Sequence, residues 1–272
     1  MSKTARAAIY AGLILGALIM VFPFYWMFVS AFKTTQEINR FPPTWLPGSL
    51  RFDNFAIAFQ KSPFARYFLN SVIVTASCVV CTGFTTILGA FAFSRLKFPG
   101  REVIFSILLS LLMIPFEMVI ITNYTTIIHL GLNDSLPALI APFTSSIFYT
   151  YILRNFFMTV PDGLYHSARV DGASNWRFLW RILVPMARPS LVTIMLLNAL
   201  VSWNSFMWPL IVIKTTANRT LPFGLYAFTT ESGSNPELMM AASTVVVLPM
   251  IILFLFARKS IVNGVARGGM KG

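Results

Sequence analysis

Charge is what this 272-residue chain has least of: 11% of its residues are Asp, Glu, Lys or Arg, against 56% apolar, and the mean hydropathy is +0.72. A water-soluble globule carries about a quarter charged residues, so that class is excluded. Acid is scarcer still, with nine Asp and Glu facing 21 Lys and Arg for a formal charge of +12. The basic residues are scattered between long uncharged runs and form no single basic face, which argues against nucleic acid as a partner. Two cysteines, Cys78 and Cys81, sit inside an uncharged stretch, which excludes a disulfide-stapled secreted scaffold. No further ligands accompany them, so they read as small residues at a helix interface, and no metal site is expected. The two histidines, His129 and His166, are distant in sequence from each other and from Glu117; no nucleophilic or acid–base cluster joins them, and His129 reads as a loop residue. A phosphate-binding G-x-x-x-x-G-K-[ST] loop is missing, because the glycines near Gly268 and Gly269 lack that spacing. No internal repeat or low-complexity tract divides the chain.

What remains is apolar sequence in long runs. A helix needs about 20 apolar residues to cross a bilayer, and charges are costly inside it, so gaps between charges mark candidate spans. Five gaps are long enough: Ala7–Phe32, Tyr67–Ser94, Ser135–Leu153, Pro189–Ile213 and Leu238–Ala257. A sixth span, from Val103 to about Thr122, is interrupted by Glu117 after the helix-perturbing Pro115. The expected fold class is therefore an all-α integral membrane protein with six transmembrane helices. Six spans put both termini on one side. The segments on that side hold fourteen of the 21 Lys and Arg and the opposite loops hold seven, which predicts cytoplasmic N and C termini.

The apolar run after Lys3 and Arg6 is longer than a signal-peptide core and reads as an uncleaved first helix, whose Gly12 and Gly16 have the spacing that lets helices pack closely. The outer loop Lys33–Arg66, with Pro42, Pro43 and Pro47, reads as an extended segment. Three regions follow: a first helix and outer loop over 1–66, a core of five spans over 67–257, and a cytoplasmic tail over 258–272.

Within the core, the connection from Arg154 to Arg188 is about 35 residues long, whereas the other inner loop, Arg95 to Arg101, has barely seven. A structureless loop of that length would be unusual. Pro161, Asp162 and Gly163 provide a helix entry, Leu164–Val170 a short helix, and Asp171-Gly172 a turn. A second helix is expected from Ser174 to about Pro185, apolar at Trp176, Phe178, Leu179, Ile182 and Leu183 and basic at Arg177 and Arg181. Periodicity alone fits two readings equally, a helix lying on anionic lipid or a docking surface for a cytoplasmic partner.

The order of residues separates them. His166-Ser167-Ala168-Arg169-Val170-Asp171-Gly172-Ala173, followed by Ile182, Val184 and Pro185, resembles the EAA loop of permease subunits of ATP-binding-cassette importers, with Val184 in place of the family's leucine. Trp203-Asn204-Ser205-Phe206-Met207-Trp208-Pro209-Leu210, with Arg219-Thr220-Leu221-Pro222, is similar to a signature of carbohydrate-importer permeases of the maltose type. Met113-Ile114-Pro115 and the tail Gly264–Gly272 also fit that family, and the resemblance spans nearly the whole chain.

The resemblance implies a type I importer (MetI-like) permease fold in a bacterial or archaeal cytoplasmic membrane. It implies as partners a second permease subunit, two cytoplasmic ATPase subunits, an external solute-binding protein and membrane lipid. The chain would then be no enzyme and bind no cofactor of its own, with ATP and Mg used by the ATPase subunits. Residues 155–188 would form the coupling loop. His166, Ser167, Ala168, Asp171, Gly172, Ala173, Trp176, Arg177 and Phe178 would dock the ATPase, Asp171 capping the second helix while Trp176 and Phe178 anchor in a pocket. His166 and Ser167 replace the family's glutamate and first alanine, so an ion pair made by that glutamate is not preserved here.

For the solute path, Glu117 is the one acidic side chain embedded in a span. Asn198 and Asn204 offer hydrogen bonds to sugar hydroxyls, and Trp203 and Trp208 offer ring faces. Glycerol phosphate esters remain an alternative cargo to a sugar or polyol. A secondary transporter driven by an ion gradient, with Glu117 as its cation site, is the rival mechanism.

Overall fold

The computed structural model describes residues 3–231 and 235–269, with side chains described over 4–230 and 235–255. Among the described residues every regular element is helical: α1 (Lys3–Ser30), α2 (Thr35–Asn39), α3 (Asp53–Lys61), α4 (Phe64–Arg95), α5 (Arg101–Ser110), α6 (Phe116–His129), α7 (Leu136–Ile140), α8 (Ile147–Met158), α9 (Asp162–Val170), α10 (Asn175–Phe178), α11 (Val184–Met186), α12 (Arg188–Trp203), α13 (Met207–Val212), α14 (Leu221–Glu231) and α15 (Pro236–Gly269). His129 is thus the last residue of a helix rather than a loop residue. Of the expected tail over 258–272, the backbone to Gly269 continues α15, and residues 270–272 lie outside the described residues.

Three helices, α1, α4 and α15, are unbroken and apolar enough to cross a membrane. The other expected spans are broken. The sixth divides at Pro115, where α5 with its short 3-10 extension and α6 are bent by 102°. The cause is local: the residue before a proline is driven to extended backbone, and Ile114 has ψ 113. The run expected as one helix over Ser135–Leu153 is instead α7, a 3-10 turn at Ala141–Phe143 and α8, bent by 44°. Likewise Pro189–Ile213 is not continuous, because α12 ends at Trp203 and α13 begins at Met207. Such breaks free backbone carbonyls, which cannot stay unpaired away from water. Helix α4 supplies the missing donors: the Thr82 hydroxyl donates to the Phe143 carbonyl at 2.6 Å and the Thr85 hydroxyl to the Thr144 carbonyl at 2.8 Å.

The chain forms two compact units, Met1–Phe68 with Leu221–Ile251, and Leu69–Thr220 with Ile252–Gly272. In the first, α1 carries Pro23, and its most apolar stretch buries nothing against the rest of the chain. Gly12 and Gly16 accordingly have no neighbour within 4 Å of an added Cβ. The segment after α1, expected to be extended, holds α2 and α3, since the prolines cluster at 42–47 and leave both flanks free to coil. Helix α2 starts with a capping box between Thr34 and Glu37, and Glu37 also accepts the Gly48 amide at 2.9 Å. These backbone donors hold its carboxylate below the ordinary range. Lys33 is buried, with its ammonium donating to the Thr44 carbonyl and lying 4.4 Å from the centroid of the Trp26 ring.

The second unit has one apolar core. Ile87, Ala90 and Phe91 of α4, Leu153 and Phe157 of α8, Leu191 and Ile194 of α12, and the segment joining α8 to α12 all contribute to it.

Candidate functional site

That joining segment is the helix-turn-helix expected over 155–188. Helix α9 closes through hydrogen bonds from the Gly172 amide to Arg169 and from the Ala173 amide to Ala168, at 3.1 and 2.8 Å, with Gly172 at φ +76. A left-handed residue just past a helix end is where glycine costs least. The following helix is capped by Ser174, whose hydroxyl accepts the Arg177 amide at 3.2 Å. Asp171, expected in that role, sits at the C-terminal end of α9 and so cannot serve the next N-terminus. From α10 the chain runs on through a π-helical turn at Leu179–Leu183 into α11, then bends by 80° into α12.

Packing sorts the expected docking residues onto two faces. Phe178 is fully buried and Ala168 is 7% exposed, both inside the unit's own core with Leu179 and Leu183. Neither is available to a partner, which corrects both assignments: an amphipathic helix must bury its apolar stripe, and here the stripe meets α4 and α8. On the open face lie His166, Ser167, Asp171, Gly172, Trp176 and Arg177, with Ala173 half-buried. Trp176 is 58% exposed, and Val170, which periodicity alone did not single out, is 88% exposed. Tyr165 ties the two helices together, donating its hydroxyl to Asn175 Oδ1 at 2.8 Å and setting its ring edge-on to Phe178 at 5.0 Å.

Two arginines that the sequence presents only as topology markers are buried. Arg95, the last residue of α4, donates to the Asp162 carboxylate in the first turn of α9, to the Phe157 carbonyl at 2.6 Å and to the Val160 carbonyl. Arg154 of α8 donates to the Phe93 carbonyl at 3.0 Å and to both Glu102 oxygens at 2.9 and 2.7 Å, and lies over the Phe105 ring. Buried guanidinium groups require such multiple acceptors, and these ones stitch the ends of α4, α5, α8 and α9 together.

The expected path residues are not gathered in one place. Glu117 is exposed in the first turn of α6. Trp208 is 2% exposed, donates its indole N–H to the Ala138 carbonyl at 3.0 Å and packs edge-on against Phe116. Trp203 is also buried, so neither ring offers a face to a solute in this structure. Asn204 spends its amide on the Leu200 carbonyl at 2.8 Å, closing α12. Asn198 lines a cavity of about 230 Å3, with Thr82, Ser145, Tyr149 and Ser202 among its neighbours. Among the described residues no group of three or more His, Cys, Asp or Glu is placed to hold a metal.

A further polar clamp gave no sequence signal. Asp134, at φ +52, accepts the Lys214 and Thr215 amides at 3.0 and 3.1 Å and the Thr215 hydroxyl at 3.2 Å, while the Asn218 amide donates to its carbonyl. Burial pushes this carboxyl up, but the bonds outweigh it and bring it below its ordinary value. The Asn70 amide donates to the Ala217 and Arg219 carbonyls, each at 2.9 Å, holding the same loop from the other side.

Known proteins resemble this chain over nearly its whole length. Over 259 residues the chain is 30% identical to the arabinooligosaccharides transport system permease protein AraQ of Bacillus subtilis, covering 94% of this chain and 92% of that one. It is 30% identical over 260 residues to the sn-glycerol-3-phosphate transport system permease protein UgpE of Yersinia pestis, covering 93% and 92%. Among solved structures, a chain of a bacterial transporter that imports the acidic polysaccharide alginate superposes with a TM-score of 0.83 at 24% identity, over 95% of this chain and 98% of that one. That likeness establishes the MetI-like permease fold. The family described as binding-protein-dependent transport system inner membrane component matches residues 84–267, and the chain belongs to that family.

Proposed function

We propose that this chain is one transmembrane half of an ATP-binding-cassette importer, carrying a sugar or related solute delivered by an external binding protein. The names of its relatives support the solute class, since AraQ serves arabinooligosaccharides. The remainder of the complex is a second permease subunit and two cytoplasmic ATPase subunits. ATP and Mg act there, and this chain contributes no chemistry. Its termini are cytoplasmic in a bacterial cytoplasmic membrane, as the excess of Lys and Arg on that side requires.

One observation carries the mechanism. The helix-turn-helix over 155–188 shares its buried face with α4, α8 and α12, while Trp176 and Val170 stay open on the other. A partner gripping the open face therefore moves packed helices, because close-packed side chains pass displacement on without yielding. ATP binding and hydrolysis in the partners bias the permease between outward- and inward-open states through this grip. Aromatic and arginine side chains such as Trp176 and Arg177 suit such a contact.

Gly172→Leu tests the reading. Its φ of +76 disfavours any residue with a Cβ, and an added Cβ meets nothing within 4 Å beyond its chain neighbours, so the side chain projects into open space. The expected outcome is loss of ATPase copurification or of ATP-driven uptake with the permease still in the membrane. A variant that copurifies and transports normally overturns the docking assignment.

A further inference from the structure

The loop that follows α1 folds back onto it. Trp45 packs its ring against Phe22 and Trp26 of α1, with ring centroids 6.0 and 6.3 Å apart, and its carbonyl accepts the Tyr25 hydroxyl at 2.7 Å. Phe22 stands eight residues before the end of α1 at Ser30, about 12 Å along the axis at ~1.5 Å per residue. The span Thr4–Ser30 has 27 residues and so is about 40 Å long, against about 30 Å of hydrocarbon in a bilayer. Centred there, it leaves about 5 Å at each end among the headgroups. Tyr25 then lies near the edge of the hydrocarbon and Phe22 inside it. Between Arg40 and Arg51 the loop carries no charge, and Phe41, Trp45 and Leu46 are all exposed. Its backbone leaves few polar groups to satisfy: Pro42, Pro43 and Pro47 have no N–H, the Thr44 carbonyl accepts the Lys33 ammonium, and the Gly48 amide donates to the Glu37 carboxylate at 2.9 Å.

From this we propose that residues 41–47 form a wedge seated in the outer boundary between lipid headgroups and acyl chains, with phospholipid as the partner of Phe41, Trp45 and Leu46. The choice of leaflet rests on the topology of the importer reading. Lipid is the favoured occupant on three counts. The wedge continues the surface of α1, whose most apolar stretch buries nothing against the rest of the chain. Tryptophan suits that depth, because its ring meets acyl chains while its N–H stays within reach of headgroups. Non-helical backbone survives beside lipid only where its polar groups are paired or absent, and the three prolines with the Lys33 and Tyr25 donors meet that condition. Exposed Arg40 and Arg51 flank the wedge, with stems long enough to lie along apolar surface while the charge stays among headgroup phosphates. Through Tyr25, Trp26 and Lys33 the wedge holds the outer end of α1 at a fixed depth.

The test uses the complete importer in vesicles of phosphatidylethanolamine and phosphatidylglycerol, with Cys78→Ala and Cys81→Ala removing the native thiols. A nitroxide is placed singly at Phe41→Cys, at Leu46→Cys and, as the aqueous reference, at Lys61→Cys on the exposed end of α3. Electron paramagnetic resonance then compares collisions with oxygen, which concentrates among acyl chains, and with a water-soluble nickel chelate. At Phe41→Cys and Leu46→Cys the ratio of oxygen to nickel collisions is expected to exceed the reference about fivefold or more, as insertion at the acyl boundary requires. Two independent sites keep the result interpretable should one label disturb assembly. Free access of both probes overturns the wedge and returns the loop to water. Exclusion of both means that a protein surface, the second permease or the binding protein, covers it, and overturns lipid as the partner. A membrane-impermeant maleimide applied to Lys61→Cys in intact cells reads the topology separately. Reaction only after permeabilisation overturns the outer leaflet together with the cytoplasmic termini, whereas reaction from outside with both probes colliding freely overturns the wedge alone.

Discussion

The helix-turn-helix end and the region of broken helices belong to one compact unit, yet they are built in opposite ways. Around α9 and α10 the interior is filled: Phe157, Phe178 and Leu183 are fully buried, and Arg95 and Arg154 find acceptors on neighbouring helices. Around the gap at 144–146, α4 caps the freed carbonyls with threonines, but a cavity of about 230 Å3 remains, bordered by residues of this gap and of the one at 204–206. The first construction resists deformation and suits a part that is gripped and moved. The second leaves a space among the helices, lined by hydroxyl groups and one amide.

Two pairs of substitutions put this contrast at risk, the first with the largest expected effect. Phe178→Ala opens a cavity in the filled end and is expected to cost about 3–5 kcal/mol. Trp176→Ala, two residues away on the open face, is expected to leave thermal unfolding almost unchanged while weakening ATPase copurification. Equal stability losses in the two variants would mean that the faces are not divided as described. Arg95→Leu comes next. It removes the guanidinium donor from the Val160 carbonyl and from the Phe157 carbonyl, which keeps the Val160 amide, at an expected cost of about 3 kcal/mol. Asp162→Asn, on an exposed partner, is expected to cost less than about 1 kcal/mol. ATP hydrolysis measured alongside uptake shows whether Arg95→Leu also uncouples the two, and coupling as tight as in wild type would remove this residue from the transmission path.

The smallest effect separates two glycines of α4. A Cβ on Gly89 comes 3.1 Å from the branched Cγ2 of Thr150, whereas a Cβ on Gly83 meets at 3.1 Å only the terminal methyl of Met195. The flexible methionine can withdraw and the β-branched threonine cannot. Gly89→Ala is therefore expected to lower the unfolding temperature more than Gly83→Ala, by about 1 kcal/mol or more of stability. The reverse order in thermal unfolding would place the stiff packing at the other end of the helix.

Much of this organisation was readable beforehand where the cause is local. Charge-free runs mark the spans because hydrocarbon penalises charge wherever the chain folds. Pro161, Gly172 and Ser174 mark the turns of the helix-turn-helix because their backbone preferences act over a few residues. The breaks at 144–146 and 204–206 were hidden, since the partners that make the first tolerable, Thr82 and Thr85, lie about sixty residues earlier. Glu117, Trp203, Asn204 and Trp208 were singled out by chemical type, and type does not reveal whether a side chain is already spent on a neighbour. Asn198 differs from Asn204 only in what surrounds it.

The sequence by itself determined that this chain is a membrane protein, where its apolar runs lie and that a helix-turn-helix interrupts them, because composition and short-range sterics act along the chain. Which face of that element is buried, which arginines are interior and where space is left among the helices was decided by the tertiary structure. Those outcomes depend on what packs against each residue, and for Arg95, Phe178 and Asn198 that is side chains and carbonyls brought together from distant helices.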